Sequence, residues 1–234
     1  MTTQVTSEQI NPLGLNKHSH GPGSEVPVQT RSERFTSFDF ADFAPLSGRE
    51  IEWKYTPVAK LDGLINGELT GSRSELEFAE TEGVAVSWIP RSDARIGSAG
   101  KPEDRASANA WSNFEEALLV EVSGEDDKQF VLDRKGFGGA AVAAHVVIDI
   151  KPHARGLIIL RHTGAATVAE NVEILVGDGA NVTIVSMQEW EDSAQHLSTH
   201  FLSVGRDAFI KHIVVSLGGG IVRLTPTLQL NAQG

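Results

Sequence analysis

The chain has 234 residues, 40% of them hydrophobic and 22% charged, and a formal net charge of −11; that suffices for a sizeable core in one large domain or two small ones. It has no cysteine, which excludes disulfides, thiolate metal sites, cysteine nucleophiles and any persulfide on these residues. An acidic balance without a basic stripe argues against a nucleic-acid backbone as partner.

No apolar run reaches the roughly 18–20 residues of a membrane-spanning helix, so no membrane partner is expected. The opening "MTTQVTSEQINPLGLNKHSHGPGSEVP" lacks the charged start and apolar core of a secretory signal, which makes the cytoplasm the expected location. Residues 1–30 are polar, punctuated by Gly and Pro and without periodicity, and predict a disordered or extended arm. Residues 31–118 predict a smaller α/β region. There, Phe35, Phe38, Phe40 and Phe43 alternate with polar residues before Pro45 and Gly48, predicting an extended or short helical segment held by its aromatics. "REIEWKYTPVAKLDGL" (49–64) can begin as a helical turn, which Pro57 ends by biasing Thr56 away from the helical region. Residues 65–100 read as short strands with Gly turns.

The spacing predicts the clearest helix over 101–119. Pro102 suits its first turn, Glu103 and Asp104 favour its positive end, and Ala110, Phe114, Ala117 and Leu118 share a face. From about 119 to 234 strand follows strand, separated by Gly, Asp and Asn clusters.

Three of these segments repeat one another: "IKPHARGLII" (150–159), "VGDGANVTIV" (176–185) and "VGRDAFIKHI" (204–213). Each has an apolar residue, turn-type positions, an alanine (Ala154, Ala180, Ala208) and an alternating run. Alternate strand residues share a side. One side therefore reads Ala154, Gly156, Ile158, Leu160, then Ala180, Val182, Ile184, Ser186, then Ala208, Ile210, His212, Val214. The spacing of 26 and 28 residues is too short for a propeller blade and lacks the helix of an ankyrin or tetratricopeptide unit. It fits one coil of a parallel β-solenoid whose rungs stack about 4.7–4.9 Å apart. In the same frame Gly234 takes the place of Gly179 and Asp207 with no capping element after it, so the chain reads as a fragment of a longer protein or as one whose edge a partner covers.

Chemistry is harder to find. "GFGGA" (136–140) and "SLGGGIVR" (216–223) lack the Gly-Lys-Ser/Thr of a phosphate loop and read as tight corners. His196 and His200 are four apart and share a face, near Glu189, Glu191 and Asp192. A metal site is geometrically open to them, but Leu197 stands where zincin chemistry needs Glu, and the plain reading is exposed polar residues on a flank. His212 falls in the inward column with Ile158 and Ile184; a core histidine with satisfied hydrogen bonds and a ligand or proton-handling group both remain open. Arg161-His162 reads as a surface pair, and Trp53, Trp88, Trp111 and Trp190 as packing anchors. No catalytic and no metal residue is assigned.

"RFTSFDFADF" and "GREIEWKYTPVAKLDGL" (48–64) resemble the N-terminal part of the SufB/SufD family of the SUF iron–sulfur cluster assembly system, and "QHLSTHFLSVGRDAFIKHIVVSLGGGIVR" (195–223) resembles its core, most closely the SufD type of actinobacteria. The resemblance runs from about residue 31 onward. It implies a right-handed parallel β-helix over 119–234, incomplete at its C-terminal end, and a non-enzymatic scaffold that supports cluster building or transfer with SufB and the ATPase SufC in the cytoplasm. Any cluster would be transient and held in the full complex. His196, His200 and Arg223 match the family pattern, but the regions expected to meet SufC and to handle metal lie beyond these residues, so no ligand is carried over. Self-association through an open solenoid end is a further expectation. Two other classes stay open: a pectate lyase-like solenoid acting on polysaccharide, which needs gathered carboxylates, and a solenoid adaptor without a metal role.

Overall fold

The computed structural model describes residues 17–19, 25–27 and 34–230. The chain divides into two compact units, Met1–Phe35 and Thr36–Gly234. In the first, β1 (Lys17–Ser19) pairs antiparallel with β2 (Glu25–Pro27). The remainder of the expected arm at 1–30 lies outside the described residues.

The second unit opens with 3₁₀ turns at Phe40–Asp42 and Val58–Lys60 and a single helical turn, α1 (Asp62–Ile65). Three strands follow, β3 (Thr70–Gly71), β4 (Leu76–Glu77) and β5 (Val84–Pro90), and then α2 (Arg105–Asn113). The remaining chain is strand: β6 (Glu116–Val122), β7 (Lys128–Lys135), β8 (Ala141–Ile150), β9 (Arg155–Gly164), β10 (Thr167–Val176), β11 (Asn181–Trp190), β12 (Gln195–Val204), β13 (Phe209–Ser216) and β14 (Ile221–Leu230). No described helix is long and apolar enough to cross a membrane.

From β6 onward the strands alternate between two sheets. One runs β14-β12-β10-β8-β6-β5 and the other β13-β11-β9-β7-β4. All pairings from β6 to β14 are parallel. The result is a β-solenoid of about four turns, as the repeat predicts. Asn181 pairs with both Arg155 and Phe209, so Ala154, Ala180 and Ala208 occupy equivalent places one rung apart. Ala154 and Ala180 are buried, and the ladder runs through them: Asn181 N–H donates to Ala154 O and Phe209 N–H to Ala180 O. The residue before each alanine, His153, Gly179 or Asp207, has a positive φ of 61°, 67° and 54°. That left-handed position turns the corner, and Gly, Asn and Asp tolerate it best.

The strand sequences reflect how each sheet is covered. In β11 every second residue is buried and its neighbours are not, because its outer face meets solvent. β8, β10 and β12 are buried almost throughout, since α2 and the segments around it pack on their outer face through Ala106, Ala110, Trp111 and Phe114 against Ala143, Val147, Ala169 and Leu197. β8 is accordingly near-continuously apolar, whereas β10 buries Glu170, Asn171 and Glu173 and β12 buries His196, Ser198, Thr199 and His200. At the first rung, antiparallel β5 pairs with β6 and β4 with β7, covering edges that would otherwise present unpaired backbone groups.

The helix is shorter than the spacing predicts. Asp104 caps it, accepting from Ser107 N–H, and Phe114 closes it. Ala117 and Leu118 belong to β6, because pairing with β5 and β8 outcompetes helix propensity from Glu116 onward. Ala117 still joins the apolar layer beneath α2, while Leu118 faces the solenoid interior. The strand β6 runs across the boundary expected at 118/119. The stretch read as strand from residue 65 begins inside α1, and the strands that follow are two residues each until β5.

Candidate functional site in the solenoid interior

The interior divides along the strand direction. Toward one end it is aliphatic: Val146, Ile148, Val172, Ile174 and Leu202 from one sheet meet Phe130, Leu132, Ile158, Leu160, Val182 and Ile184 from the other. Toward the other end the same inward columns carry polar groups. Arg134, His162 and Gln188 lie side by side on β7, β9 and β11. Opposite them, Ala144, Glu170 and Ser198 are in register on β8, β10 and β12. Two strand positions to either side of Ser198 come His196 and His200.

Arg134, Glu170, His162, His196 and Gln188 form one network, and His200 pairs separately with His212. Arg134 Nη1 donates to Glu170 Oε2 at 2.9 Å and to His162 Nε2 at 2.9 Å. His196 Nε2 meets Glu170 Oε1 at 2.8 Å, and its Nδ1 lies 2.9 Å from Gln188 Oε1. Trp190 Nε1–H donates to Gln188 Oε1 at 2.7 Å, and Gln188 Nε2–H to Ser186 Oγ at 2.8 Å. His200 Nδ1 and His212 Nε2 are 2.9 Å apart, one donating and the other accepting.

The Arg134 and Glu170 side chains are each 1% exposed. Charges so placed need partners, because desolvating an ion costs several kcal/mol. For Glu170, burial acts to raise the pKa, but the charges of Arg134 and His196 and the His196 hydrogen bond outweigh it and hold the carboxyl well below its usual range. Burial, helped by the adjacent Arg134 charge, pushes the His162 pKa down to about 3, so its Nε2 is an acceptor and its Nδ1–H donates to Met187 O at 3.2 Å. Burial, then His212, holds His200 well below the ordinary histidine value, and burial also lowers His212. The cluster is therefore an anion held against the Arg134 cation, framed by His162, His200 and His212, whose pKa values burial lowers.

His196 and His200 share a face as their spacing predicts, but it is the inner one: they are 0% and 2% exposed, not flank residues. Their strand is covered on both sides, which spacing alone does not reveal. His212 lies in register with Ile184 in the inward column, as expected, and its partner is His200. The supposed surface pair is split by strand alternation. Arg161 points outward, with Nη2 2.7 Å from Asp133 Oδ2, and His162 points inward. Arg223 faces outward and stacks 4.1 Å over the Trp53 ring. The two glycine stretches lie at the β7–β8 and β13–β14 corners.

Arg134, Glu170 and Gln188 are missed by motif reading. Strand phase carries the signal: Arg134 shares a side with Phe130 and Leu132, and Glu170 with Val168 and Val172. A charge in phase with a buried column predicts a buried partner. Beneath α2, on the outer face, His145 Nε2–Glu173 Oε1 forms a second buried pair at 2.9 Å. Glu173 also accepts from the N–H groups of Gly97 and Ala99, pinning that strap to the sheet. As folded, no group of three or more His, Cys, Asp or Glu side chains among the described residues is arranged to hold a metal ion.

Stacked parallel rungs around a partly polar core define a β-solenoid protein. The model of one family, described as "SUF system FeS cluster assembly, SufBD core domain", matches residues 130–234, the rungs from β7 onward. An iron–sulfur cluster assembly SufBD family protein of Mycobacterium tuberculosis is 36% identical over 224 residues, covering 91% of this chain and 56% of the relative. One of Mycobacterium leprae is 32% identical over 216 residues, covering 91% and 55%. The chain belongs to the SufB/SufD family. It spans about half the length of the curated relatives it matches.

Proposed function

We propose that this chain acts as a non-enzymatic scaffold of the SUF system in the cytoplasm, supporting the building or transfer of iron–sulfur clusters together with SufB and the ATPase SufC. The observation that carries this reading is the coincidence of the SufBD core match at 130–234 with the stacked rungs. Composition supports the division of labour. Clusters are held chiefly by cysteine thiolates, and these 234 residues contain none, so sulfur acceptance falls to a cysteine-bearing subunit such as SufB. The rigid, doubly covered sheet is suited to presenting a fixed surface to such a partner.

Co-expression tests it. The tagged chain, produced with SufB and SufC of the same organism, is expected to co-purify with both, and its omission to lower cluster yield on reconstitution. A SufB–SufC complex that forms and loads clusters equally well without it, with the chain eluting alone, would overturn the proposal.

A further inference from the structure

At the first rung the solenoid core comes to the surface. Phe78, just after β4, is 42% exposed and meets Phe130 edge-on, with ring centroids 5.8 Å apart. Phe130 belongs to the aliphatic end of the interior, and Leu76 and Val84 pack against the same core. Phe78, Val84 and Phe130 floor a groove of about 510 Å³, whose rim is Glu80, Thr81 and Glu82. A second groove of about 540 Å³ continues it past Thr81 and Glu82 to Asp126 and Asp127.

The groove is preformed. Val84 N–H donates to Thr81 O at 3.0 Å, and Ser123 N–H to Gly83 O at 2.7 Å. Gly83 takes φ 76°, and a Cβ there would stand 2.4 Å from Ser123 O, so the two loops approach as only glycine allows. A site already in place costs little ordering entropy on binding.

The charges beside it differ from those on the rest of the solenoid. Elsewhere carboxylates find cations: Glu77 pairs with Lys135, Asp133 with Arg161 and Asp149 with Lys151. Glu80, Glu82, Glu125, Asp126 and Asp127 are all exposed, and none of their carboxylates has a hydrogen bond or ion pair among the described residues. Lys128 does not answer them, because its Nζ donates to the backbone oxygens of Gly124 and Asp126 at 3.0 Å and 2.8 Å.

We propose that this groove docks a cationic segment of a partner protein, a lysine- or arginine-rich stretch carrying one aromatic or aliphatic anchor. The anchor covers Phe78 and takes apolar surface out of water. The flanking cations meet Glu80, Glu82, Asp126 and Asp127 and relieve their mutual repulsion, which sets orientation and on-rate more than affinity. The same field repels nucleic acid and anionic lipid. This inference goes beyond the proposed scaffold role and does not depend on SufB or SufC.

The test uses the full chain and a fluorescein-labelled peptide, Lys-Arg-Lys-Phe-Lys-Arg-Lys, followed by fluorescence anisotropy at about 0.15 M salt. Saturable binding of one peptide per chain is expected. Phe78→Ala, checked for fold by circular dichroism, should weaken it about 10-fold or more. Exchanging the peptide Phe for Gly should cost a similar factor on the wild type and little further on Phe78→Ala, since the two rings form one contact. Glu80→Gln with Glu82→Gln should weaken binding and flatten its salt dependence. Glu191→Gln with Asp192→Asn, on the β11–β12 corner, should leave it unchanged. No binding at this salt overturns the proposal, as does an affinity indifferent to Phe78→Ala and to the peptide Phe, which would mean a diffuse acidic surface. Self-association of the free chain that Phe78→Ala abolishes also overturns it, because the occupant would then be a second copy.

Discussion

Mild acid provides a direct test of the buried histidines. The His162 pKa lies at about 3 in the folded chain against an ordinary 6.5, chiefly because burial disfavours the cation. Between those values the unfolded chain binds a proton that the folded chain refuses, so stability rises with pH. The contribution is fully present above 6.5 and is lost as pH falls. At pH 5, about 1.5 units below the unfolded value, His162 alone removes about 2 kcal/mol, at roughly 1.36 kcal/mol per unit. His200 and His212, both lowered by burial, act in the same direction. Glu170 acts later. Its carboxyl is depressed, so its contribution persists above the ordinary 4.5 and declines only below it.

Net charge has the opposite sign. The chain carries −11 at pH 7 with an isoelectric point near 5.2, so acidification relieves self-repulsion. A fall in stability over this range therefore reports the histidines. Urea unfolding at about pH 7 and about pH 5 is the assay, and His162→Gln should flatten the difference. A stability difference between the two pH values that His162→Gln leaves unchanged would refute the claim that this ring is buried and neutral.

Glu170→Gln leaves the Arg134 charge buried without its counter-ion and should cost about 3–5 kcal/mol in urea unfolding; less than about 1 kcal/mol would mean that the pair is wetter than 1% exposure implies. Ala180→Leu forces three more carbons into a column where Ala154 and Ala180 are fully buried, and should cost about 1–3 kcal/mol by the same measurement. Gly179→Ala places a Cβ at φ 67°, 2.5 Å from His153 Nδ1, and should lower stability by about 1–2 kcal/mol, while Asp207→Gly on the next corner should be nearly neutral.

The architecture was legible because its signal is periodic. Ala154, Ala180 and Ala208 mark corners, and corners recur whatever covers the strands between them. The interior chemistry was only half legible. The His196–His200 spacing correctly put both on one face, but whether that face is inner or outer depends on α2 and its flanking segments, a packing fact that β12 does not carry. His162 reads as a surface residue in the sequence because its neighbour Arg161 is one, but adjacent strand residues point opposite ways. The end of α2 was overrun for a related reason: Phe114 and Ala117 lie on one apolar layer, but Ala117 reaches it from a strand.

The polar half of the interior also bears on how the solenoid chooses its register. On the inner side, the aliphatic columns Val146, Ile148, Ile150 of β8 and Val172, Ile174, Val176 of β10 bury similar areas if one strand slips by two residues, since a two-residue shift keeps the same side inward. The aliphatic half therefore discriminates weakly among even slips. Arg134, Glu170, His162 and His196 discriminate strongly, because a two-residue displacement of β10 would carry Glu170 about 6.6–6.8 Å from its partners and leave buried charges of both signs unpaired. The rungs alternate between offsets of 26 residues (Ala141 with Thr167) and 28 (Thr167 with Gln195), so register cannot come from a uniform repeat length. A charged cluster that closes in one alignment supplies it, at one end of the strands, while the aliphatic end supplies the bulk of the burial. On that account, replacing the whole cluster with well-fitted apolar residues would leave stability similar or higher and register less uniquely defined. The sign of the effect on uniqueness, read from the number of resolved amide resonances, separates a register role from a purely energetic one.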